Sequence, residues 1–445
     1  MLFNNNIKPS VSGEILNQYF QDYGFRKPIC NAPGSSLYFF PDGEVGACCL
    51  NKTYYSYGHY PDDSINKIIR SKERKKHRKY LINNNFSLGC RECEENLNSG
   101  NFGGLLLNGL KNIRDGKRIT KMDFELSHLC NFNCIMCHKD DNLVDTVYGD
   151  RFLDEIRPYL LTIKFATFIG GEPFLIPVYY KIWHIIMTQN KNCRMTVHTN
   201  GSILNEKIMN LARHPNFYID LSLDSLREGI YSLIRKGGEL SKTLKNFYFF
   251  NDCMKEKNHT MEISVCPMRL NWKEIPALVE FANHNQCSIF FNHVHHPSYL
   301  SLKYLHSSHL IAITEYYKHV LADLPDTTPL QTENRNRFNG LLNLLINWQY
   351  DASQVENDTL KICKDEIIGY LKPFRNEFDD LIQVVTGVLP ETWTVTKRKY
   401  KEIHEFDFFR GLTGIMRMSE DKVRKTIRSF FEIDLYASDD DDFTP

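Results

Sequence analysis

Residues 126–140, LSHLCNFNCIMCHKD, decide the interpretation of this chain. They place Cys130, Cys134 and Cys137 in one loop, with three residues and then two residues between them. Three thiolates in so short a loop can hold three corners of one iron–sulfur cubane, because soft thiolate ligands suit such clusters. No fourth cysteine follows nearby, so we predict that one iron stays open to a cofactor or a substrate.

A structural zinc loop is the alternative for these three cysteines. Zinc sites usually take four ligands and often pair their cysteines as C-x₂-C, whereas the spacing here is three residues and then two. His138 could supply a fourth ligand, although a solvated or supporting histidine is the more ordinary role. We therefore favour the cluster.

The overall composition narrows the class of protein. The chain has 445 residues, and its 54 Lys plus Arg balance 54 Asp plus Glu. Zero net charge argues against a broad nucleic-acid or membrane surface. No stretch approaches the ~20 apolar residues that span a bilayer, and the first residues lack the apolar run of a signal peptide. We expect a cytoplasmic protein whose 13 cysteines serve metal or cluster binding before disulfides.

The middle of the chain has the rhythm of alternating strands and helices. Strand-like apolar runs occupy residues 122–127, 163–169, 194–199, 217–223, 261–266 and 288–293. Helical patterns lie between most of them, which indicates a parallel sheet, since parallel neighbours need a crossover. The span is too short for eight units. We therefore predict an α/β fold, a partial (β/α)₆ TIM-type barrel, with its chemistry at the carboxyl ends of the strands.

We predict three domains: a small Cys-rich α+β domain at residues 1–115, the barrel at 116–300, and a helical region with an acidic tail at 301–445. The basic run RSKERKKHRK, residues 70–79, is interpreted as a solvated helix face. The last region is expected to be almost wholly helical, with apolar positions at helical spacing in residues 310–324, 336–350 and 365–385 and an acidic run at 439–442.

Further motifs follow the next predicted strands. Residues 170–173, Gly-Gly-Glu-Pro, come after the second strand, and residues 199–201, Thr-Asn-Gly, after the third. Together with C-x₃-C-x₂-C after the first strand, they make the chain resemble the radical SAM superfamily. The resemblance implies a [4Fe-4S] cluster whose open iron binds S-adenosylmethionine. It also implies reductive cleavage to a 5′-deoxyadenosyl radical, which abstracts hydrogen from the substrate.

The resemblance also implies which residues meet S-adenosylmethionine. Ser222 and Asp224 share one face of a strand and offer acceptors to ribose hydroxyls, although either one can instead cap a helix. Arg235 is similar to the arginine that pairs with the methionine carboxylate, and a surface salt bridge is its alternative. The implied cofactor contacts are Met136, Gly170, Gly171, Glu172, Pro173, Asn200, Ser222, Asp224 and Arg235.

A second cysteine set precedes the barrel. The runs LYFF and EVGACC flank the turn PDGE, which predicts a hairpin that brings two cysteines near a C-x₂-C pair. The layout resembles the SPASM/twitch auxiliary-cluster domain in its shorter twitch form, although the family usually carries that domain after the barrel. A structural zinc site is the alternative, and Cys49 could replace Cys48. The resemblance implies a second [4Fe-4S] cluster on Cys30, Cys48, Cys90 and Cys93.

Other side chains are candidates for the substrate region. Cys266, on the fifth strand, could donate hydrogen to a substrate radical as in radical peptide epimerases, whereas a small buried apolar residue is its more ordinary role. Loop residues after the fifth and sixth strands could line the substrate mouth: Arg269, Asn271, His293, His295 and His296.

The leading hypothesis for function follows from the second resemblance. Since twitch and SPASM enzymes often act on ribosomal peptides or protein side chains, we expect peptide maturation with an electron donor such as flavodoxin or ferredoxin. The alternatives are dehydrogenation or rearrangement of a small molecule such as a sugar, and a non-catalytic iron–sulfur or zinc-binding protein. The helical C-terminal third is interpreted as a cap that closes over or recruits the substrate.

Overall fold

The computed structural model describes residues 7–25, 27–51, 54–98, 100, 102, 105, 118–295, 297, 300–355, 359–363 and 392–396. The predicted helix at 365–385, the acidic run at 439–442 and His296 lie outside these residues. The chain divides into two compact units. The first contains residues 1–131, 141–222 and 241–263, and the second contains 132–140, 223–240 and 264–445. The division into three domains stays a prediction.

The strands agree closely with the sequence pattern. They are β1 Ser36–Phe39, β2 Glu44–Gly46, β3 Gly58–His59, β4 Lys121–Glu125, β5 Phe165–Ile169, β6 Arg194–Thr199, β7 Phe217–Ser222, β8 Glu262–Val265, β9 Ser288–Phe291, β10 Thr359–Cys363 and β11 Thr392–Thr396. The six predicted barrel strands correspond to β4 through β9. Their observed ends differ from the predicted ends by two residues or fewer.

The helices lie mainly between the strands. They are α1 Gly13–Tyr23, α2 Ala32–Ser35, α3 Ile65–Ile69, α4 Lys72–Ile82, α5 Arg91–Asn98, α6 Asp150–Leu160, α7 Pro177–Gln189, α8 Glu206–Ala212, α9 Glu228–Ile234, α10 Leu240–Glu256, α11 Ile275–Asn285, α12 Ser307–Asp323 and α13 Pro329–Val355. Short 3₁₀ turns occupy Cys49–Asn51, Asp141–Leu143, Pro173–Leu175, Trp272–Glu274 and Leu302–Tyr304. Several helices begin at a polar cap; Ser71, for example, accepts a bond from the backbone N–H of Arg74 at 3.2 Å and starts α4.

The first unit is built on an open, mostly parallel sheet. Its strand order is β3-β2-β1-β4-β5-β6-β7, followed by β8. β1 and β2 form the predicted antiparallel hairpin, with Tyr38 opposite Gly46. β1 also pairs in parallel with β4, with Tyr38 opposite Asp123. The hairpin therefore extends the barrel sheet, a non-local pairing that the sequence analysis did not foresee.

The two faces of this sheet differ in character because successive side chains alternate between them. One face carries apolar side chains that are at most 1% exposed: Leu37, Phe39, Met122, Phe124, Ala166, Phe168, Met195, Val197, Ile219 and Leu221. The rings of Phe39 and Phe124 stack at 5.5 Å between centroids, and Phe168 continues the row at 5.1 Å. Trp183 on α7 covers Phe168 edge-on at 5.5 Å. The opposite face carries mostly polar side chains, with Phe165 and Ile169 of β5 among them.

In the second unit the end of β8 lies beside β9, and the backbone N–H of Asn292 bonds the carbonyl of Val265 at 2.8 Å. Asn334 on α13 holds β9 by accepting from the N–H of Ile289 at 2.9 Å and donating to the carbonyl of Cys287 at 2.9 Å. The two long helices α12 and α13 agree with the predicted helical region. β10 and β11 pair antiparallel, so the expectation of an almost wholly helical C-terminal third is wrong at these ten residues.

Among the described residues, no helix is both long enough and apolar enough to cross a membrane.

Candidate functional site

The glycines of the Gly-Gly-Glu-Pro motif lie against the backbone that leads into Cys130. The N–H of Gly171 bonds the carbonyl of Ser127 at 2.9 Å, and the N–H of Glu172 bonds that of Leu129 at 2.8 Å. A Cβ on Gly171 would overlap the Leu129 carbonyl, and Gly170 has a φ of +123°. Only glycine suits these two positions, because the end of β5 runs backbone to backbone with the start of the cysteine loop.

Glu172 is completely buried and organises the turn after β6. Its carboxylate accepts from the hydroxyl of Thr199 at 2.8 Å, the N–H of Asn200 at 2.8 Å and the N–H of Phe174 at 3.2 Å. These bonds tie the Gly-Gly-Glu-Pro turn to the turn after β6. The predicted contact of Glu172 with the cofactor stays a prediction.

Asn200 extends this arrangement to the first cysteine. Its Nδ2 lies 3.8 Å from the Sγ of Cys130 and donates to the Oδ1 of Asn131 at 3.0 Å. The side chain of Asn131 in turn donates to the hydroxyl of Ser202 at 2.9 Å. An amide donor beside a thiolate favours the ionised form that a cluster needs. The sequence analysis named Asn200 but missed Asn131 and Ser202, since polar loop residues are common and only the fold brings them together.

Ser222, another predicted cofactor residue, ends β7 in the first unit. The second unit contains Asp224 and Arg235 as a buried ion pair. The Nε of Arg235 donates to the Oδ2 of Asp224 at 2.7 Å, with side chains 9% and 0% exposed. The N–H of Cys266 bonds Oδ1 of the same carboxylate at 2.7 Å. Asn271 supports the group by donating to the Asp224 carbonyl at 2.8 Å. Arg235 is therefore not a surface salt bridge, and its predicted pairing with a methionine carboxylate would add to an existing partner.

Cys134 and Cys266 interact electrostatically with Arg235 of this pair. Burial alone would lower the pKa of Arg235, but the Asp224 carboxylate and the Cys134 and Cys266 thiols outweigh it and raise that pKa. Burial raises the pKa of the Cys266 thiol, and Asp224 raises it further, with smaller contributions from Cys134 and Cys137. A permanently charged guanidinium beside Cys134 favours the thiolate that a cluster requires.

The remaining predicted residues of this unit pack in a small apolar cluster. Met136 and Cys266 contact the buried side chains of Ile234 and Met268. This environment suits the ordinary role of Cys266 as a small apolar residue. Its role as hydrogen donor stays a prediction.

Removing the carboxylate from the ion pair is expected to destabilise the protein. Asp224→Ala leaves a buried guanidinium without its partner and orphans the N–H of Cys266, so we expect a loss of about 3–5 kcal/mol. Arg227→Ala is the control: its side chain is 64% exposed in its pair with Glu274, so the expected loss is at most about 1 kcal/mol. Urea unfolding followed by circular dichroism measures both. Equal losses of stability in the two variants would contradict a larger contribution from the buried pair.

Four cysteines of the first unit line one cavity. It encloses about 380 Å³, including its open mouth, and its walls are Cys30, Ala32, Pro33, Ala47, Cys48, Leu50, Asn51, His77, Leu81, Phe86, Gly89, Cys90 and Cys93. Burial, and then the neighbouring thiols, raise the pKa of Cys48 and of Cys90 well above the usual value. Four such thiols cannot all ionise in an apolar pocket unless positive charge joins them, and the iron of a cluster supplies that charge.

Cys48 and Cys49, the two alternative ligands, differ in their position relative to the cavity. Cys48 faces the cavity, whereas Cys49 is exposed and is absent from its walls. The Sγ of Cys48 lies 3.7 Å from the Oδ1 of Asn51, and Asn51 Nδ2 donates to the Gly89 carbonyl at 2.9 Å. Asn51 thus ties the hairpin cysteine to the C-x₂-C segment, which supports Cys48 as the ligand.

His77 is a residue of this site that the sequence analysis missed. Its Nε2 lies 3.1 Å from the Sγ of Cys90, and its Nδ1 lies 2.8 Å from the hydroxyl of Tyr57. Burial raises the pKa of Tyr57 well above its usual value, so its hydroxyl keeps its proton. In the tautomer that accepts from this hydroxyl at Nδ1, the ring proton is on Nε2, which can donate to a thiolate at Cys90.

The interpretation of residues 70–79 as a solvated helix face is wrong for His77. On α4, His77 and Leu81 are each 1% exposed and point toward the cavity, while the lysines around them face solvent. The spacing of four residues between them was the available signal, because it puts both on one helical face. Burial lowers the pKa of His77 to about 4, so the ring is neutral near pH 7.

Replacing His77 is expected to weaken cluster retention. His77→Leu fills the same space with an apolar side chain but removes the ring nitrogen that contacts Cys90, so we expect roughly tenfold faster iron loss. Iron release to a ferrous chelator under anaerobic conditions measures the rate. His184→Leu, at an exposed position on α7, is the matched control. Equal release rates for the two variants would rule out this role for His77.

The donor set also bears on the alternative of zinc. In the described part of the chain, no group of three or more His, Cys, Asp or Glu side chains is arranged to hold a single metal ion. The four cavity cysteines, with apolar walls around them, offer thiol ligands to an iron–sulfur cluster.

Comparisons with known proteins agree with these two sites. Residues 124–282 match the family model of the radical SAM superfamily, and residues 30–94 match that of SPASM, an iron–sulfur cluster-binding domain. These matches imply a [4Fe-4S] cluster with S-adenosylmethionine in the first region and an auxiliary cluster in the second. They confirm the resemblance stated from the sequence.

Curated relatives match over part of the chain. A GTP 3′,8-cyclase of Clostridium botulinum (strain Okra / Type B1) is 24% identical over 164 residues, which are 36% of this chain and 48% of that protein. One of Clostridium perfringens (strain SM101 / Type A) is 29% identical over 188 residues, 40% of this chain and 55% of that protein. The chain thus spans about half the length of the curated relatives it matches.

Two solved structures are similar at low identity. The anSMEcpe enzyme with bound AdoMet shares 19% identity with a TM-score of 0.37, over 46% of this chain and 59% of that one. SuiB of Streptococcus suis, bound to its precursor peptide SuiA, shares 16% identity with a TM-score of 0.36, over 52% of each chain. From the two family matches and the cysteine sites together, the chain contains a radical SAM domain over residues 124–282, preceded by an iron–sulfur cluster-binding SPASM domain over residues 30–94.

Proposed function

We propose that this protein is a radical SAM enzyme that abstracts hydrogen from a peptide or protein side chain. The observation that carries the proposal is the cysteine loop itself, which the Gly170–Gly171 backbone and Asn200 hold at the carboxyl end of the sheet. When bound there, the cluster and S-adenosylmethionine supply a 5′-deoxyadenosyl radical. Cys130, Cys134 and Cys137 would hold the cluster.

The chain's own residues have separate tasks in this proposal. Glu172 and Asn200 orient the loop around Cys130. Asp224 holds Arg235 in a buried position where a guanidinium can receive a carboxylate in addition to its partner. Cys30, Cys48, Cys90 and Cys93 would hold the auxiliary cluster.

A peptide substrate is supported by the SPASM match, since the resemblance to that class implies action on peptides or protein side chains. A small-molecule substrate is the second candidate, and the GTP 3′,8-cyclases among the relatives favour it. A non-catalytic binding protein fits less well, because it would have no need of intact Gly170, Gly171 and Glu172 beside the cysteine loop. The electron donor is expected to be a flavodoxin or ferredoxin.

The test is anaerobic reconstitution followed by reduction with dithionite and assay of 5′-deoxyadenosine. We expect this product together with about eight iron atoms per chain, four for each cluster. Candidate precursor peptides and GTP are then added in separate reactions, and mass spectrometry identifies the altered molecule. Absence of 5′-deoxyadenosine from protein with its full iron content would refute radical chemistry. Conversion of GTP, with no peptide altered, would show that the substrate is the nucleotide and not a peptide.

A further inference from the structure

A row of three side chains in contact leads from the interior of the first unit to the cysteine cavity. The hydroxyl of Tyr57 lies 2.8 Å from Nδ1 of His77, and Nε2 of the same ring lies 3.1 Å from the Sγ of Cys90. Tyr57 is 2% exposed and His77 is 1% exposed. Burial shields both contacts from water, so each is stronger than it would be at the surface.

The three residues come from separate segments of the fold. Tyr57 directly precedes β3, His77 lies in the middle of α4, and Cys90 directly precedes α5. The backbone N–H of Tyr57 bonds the carbonyl of Val45 on β2 at 2.8 Å. The row therefore joins the hairpin, α4 and the C-x₂-C segment.

Contacts on α4 hold the ring of His77 in place. One turn earlier on the same helix, Arg74 donates to the carbonyl of Ile69 at 2.8 Å and to that of Gly34 at 2.7 Å. The ring of Tyr55 packs edge-on against the imidazole at 5.3 Å between centroids. A ring held in this way has its nitrogens in place before a cluster binds.

A thiolate at Cys90 decides the direction of both hydrogen bonds. The cysteine ligand of a cluster is a thiolate, and a thiolate can only accept. Nε2 of His77 must then carry the ring proton, which leaves Nδ1 of the neutral ring as an acceptor. The hydroxyl of Tyr57 can donate or accept, so it makes its contact by donating to Nδ1. Tyr57 therefore selects the tautomer that donates to Cys90.

A hydrogen bond to a ligand sulfur changes the reduction potential of a cluster. It stabilises the more negative, reduced form and so raises the potential. Much of the cavity wall around Cys90 is apolar, including Ala32, Pro33, Leu81 and Phe86. In such surroundings one well-placed donor has a larger effect than it would in a polar site.

We propose that Tyr57 is a positioning residue, which fixes His77 as a hydrogen-bond donor to Cys90 and thereby raises the reduction potential of the auxiliary cluster. Tyr57 acts through the imidazole and not by contact with the cluster. Each proton stays on its donor in both oxidation states of the cluster. This role depends on the auxiliary cluster of the proposed function, but not on the identity of the substrate.

Redox titration of the freshly reconstituted, full-length enzyme, followed by electron paramagnetic resonance, measures the potentials of both clusters. The component that is missing from Cys48→Ala belongs to the auxiliary cluster. For His77→Leu we expect about a tenfold smaller equilibrium constant for reduction of this cluster, which is a potential lower by about 59 mV for one electron. Tyr57→Phe removes only the hydroxyl, so it should lower the potential in the same direction and retain about eight iron atoms.

Tyr55→Phe is the matched control. Tyr55 packs against the same imidazole, but its hydroxyl donates to the Glu73 carbonyl at 3.2 Å, so we expect the wild-type potential. The double variant Tyr57→Phe/His77→Leu should have the potential of His77→Leu alone, because both residues act on one contact. A wild-type potential in Tyr57→Phe, an equal shift in Tyr55→Phe, or additive shifts in the double variant would each overturn the role of Tyr57.

His77→Gln separates hydrogen bonding from packing, and it gives a decisive result even if Tyr57→Phe does not take up iron. A glutamine amide can donate to Cys90 without help from Tyr57. We therefore expect its potential to lie nearer the wild-type value than that of His77→Leu. Equal potentials in the glutamine and leucine variants would show that this hydrogen bond does not set the potential, and would overturn the inference.

The same assays separate this role from the proposed function. Formation of 5′-deoxyadenosine with dithionite, together with wild-type potentials in the His77 and Tyr57 variants, would overturn the role of Tyr57 alone. Shifted potentials without 5′-deoxyadenosine would overturn the radical function alone. Zinc in the cavity would remove the auxiliary component from the spectra, and would overturn the role of Tyr57 as well.

Discussion

Cys134→Ala is expected to abolish 5′-deoxyadenosine formation and to lower iron from about eight to about four atoms per chain. Cys134 is 8% exposed and lies within the electrostatic influence of Arg235. With only two thiolates left in the loop, a cubane loses one of its three protein ligands. Iron analysis and chromatography of the quenched reaction measure the two effects.

Cys193→Ala is the matched control for this prediction. Cys193 is also a buried cysteine, it precedes β6, and its thiol lies 3.7 Å from the Arg194 carbonyl. We expect it to keep full iron and full product, with a small loss of stability. Product at the wild-type level from Cys134→Ala would show that the loop does not hold the reactive cluster, and a similar loss from Cys193→Ala would show that the effect is general damage.

The barrel strands could be predicted because each strand has a recognisable apolar pattern within its own residues. β5 through β9 bury one apolar face in a period of two, and the intervening helices bury theirs in a period near 3.6. The motifs located the site: Gly170 and Gly171 follow β5 directly, where the backbone of Ser127 approaches the first and that of Leu129 the second. Spacing along the chain sufficed wherever the partners lie on neighbouring strands.

Features that depend on distant partners could not be predicted in this way. Tyr38 and Asp123 lie 85 residues apart in sequence, and nothing in LYFF or KMDFE shows that β1 pairs in parallel with β4. The same limit applies to His77, whose basic neighbours concealed its contact with Cys90. The polar face was missed because the strand-like runs were judged by their apolar members, and alternate residues carry the charge.

Cys48→Ala and Cys49→Ala form a matched pair that tests the auxiliary cluster. The two residues are adjacent, yet only Cys48 faces the cavity with Cys30, Cys90 and Cys93. The backbone N–H of Ala47 and the thiol of Cys48 both point to Asn51 Oδ1, at 3.1 Å and 3.7 Å, which fixes the direction of the Cys48 side chain. We expect Cys48→Ala to fall from about eight to about four iron atoms and Cys49→Ala to keep about eight.

The accompanying assays distinguish loss of one cluster from loss of the fold. Cys48→Ala should still form 5′-deoxyadenosine with dithionite, because the loop with Cys134 is unchanged, and its spectrum should show one cluster after reduction. The pattern would be reversed if Cys49 were the ligand, with iron lost only from Cys49→Ala. Zinc in place of the second set of irons after reconstitution and purification would instead assign the cavity to a structural metal. The pair therefore tests both the ligand and the metal, because the two side chains differ only in which of them faces the cavity.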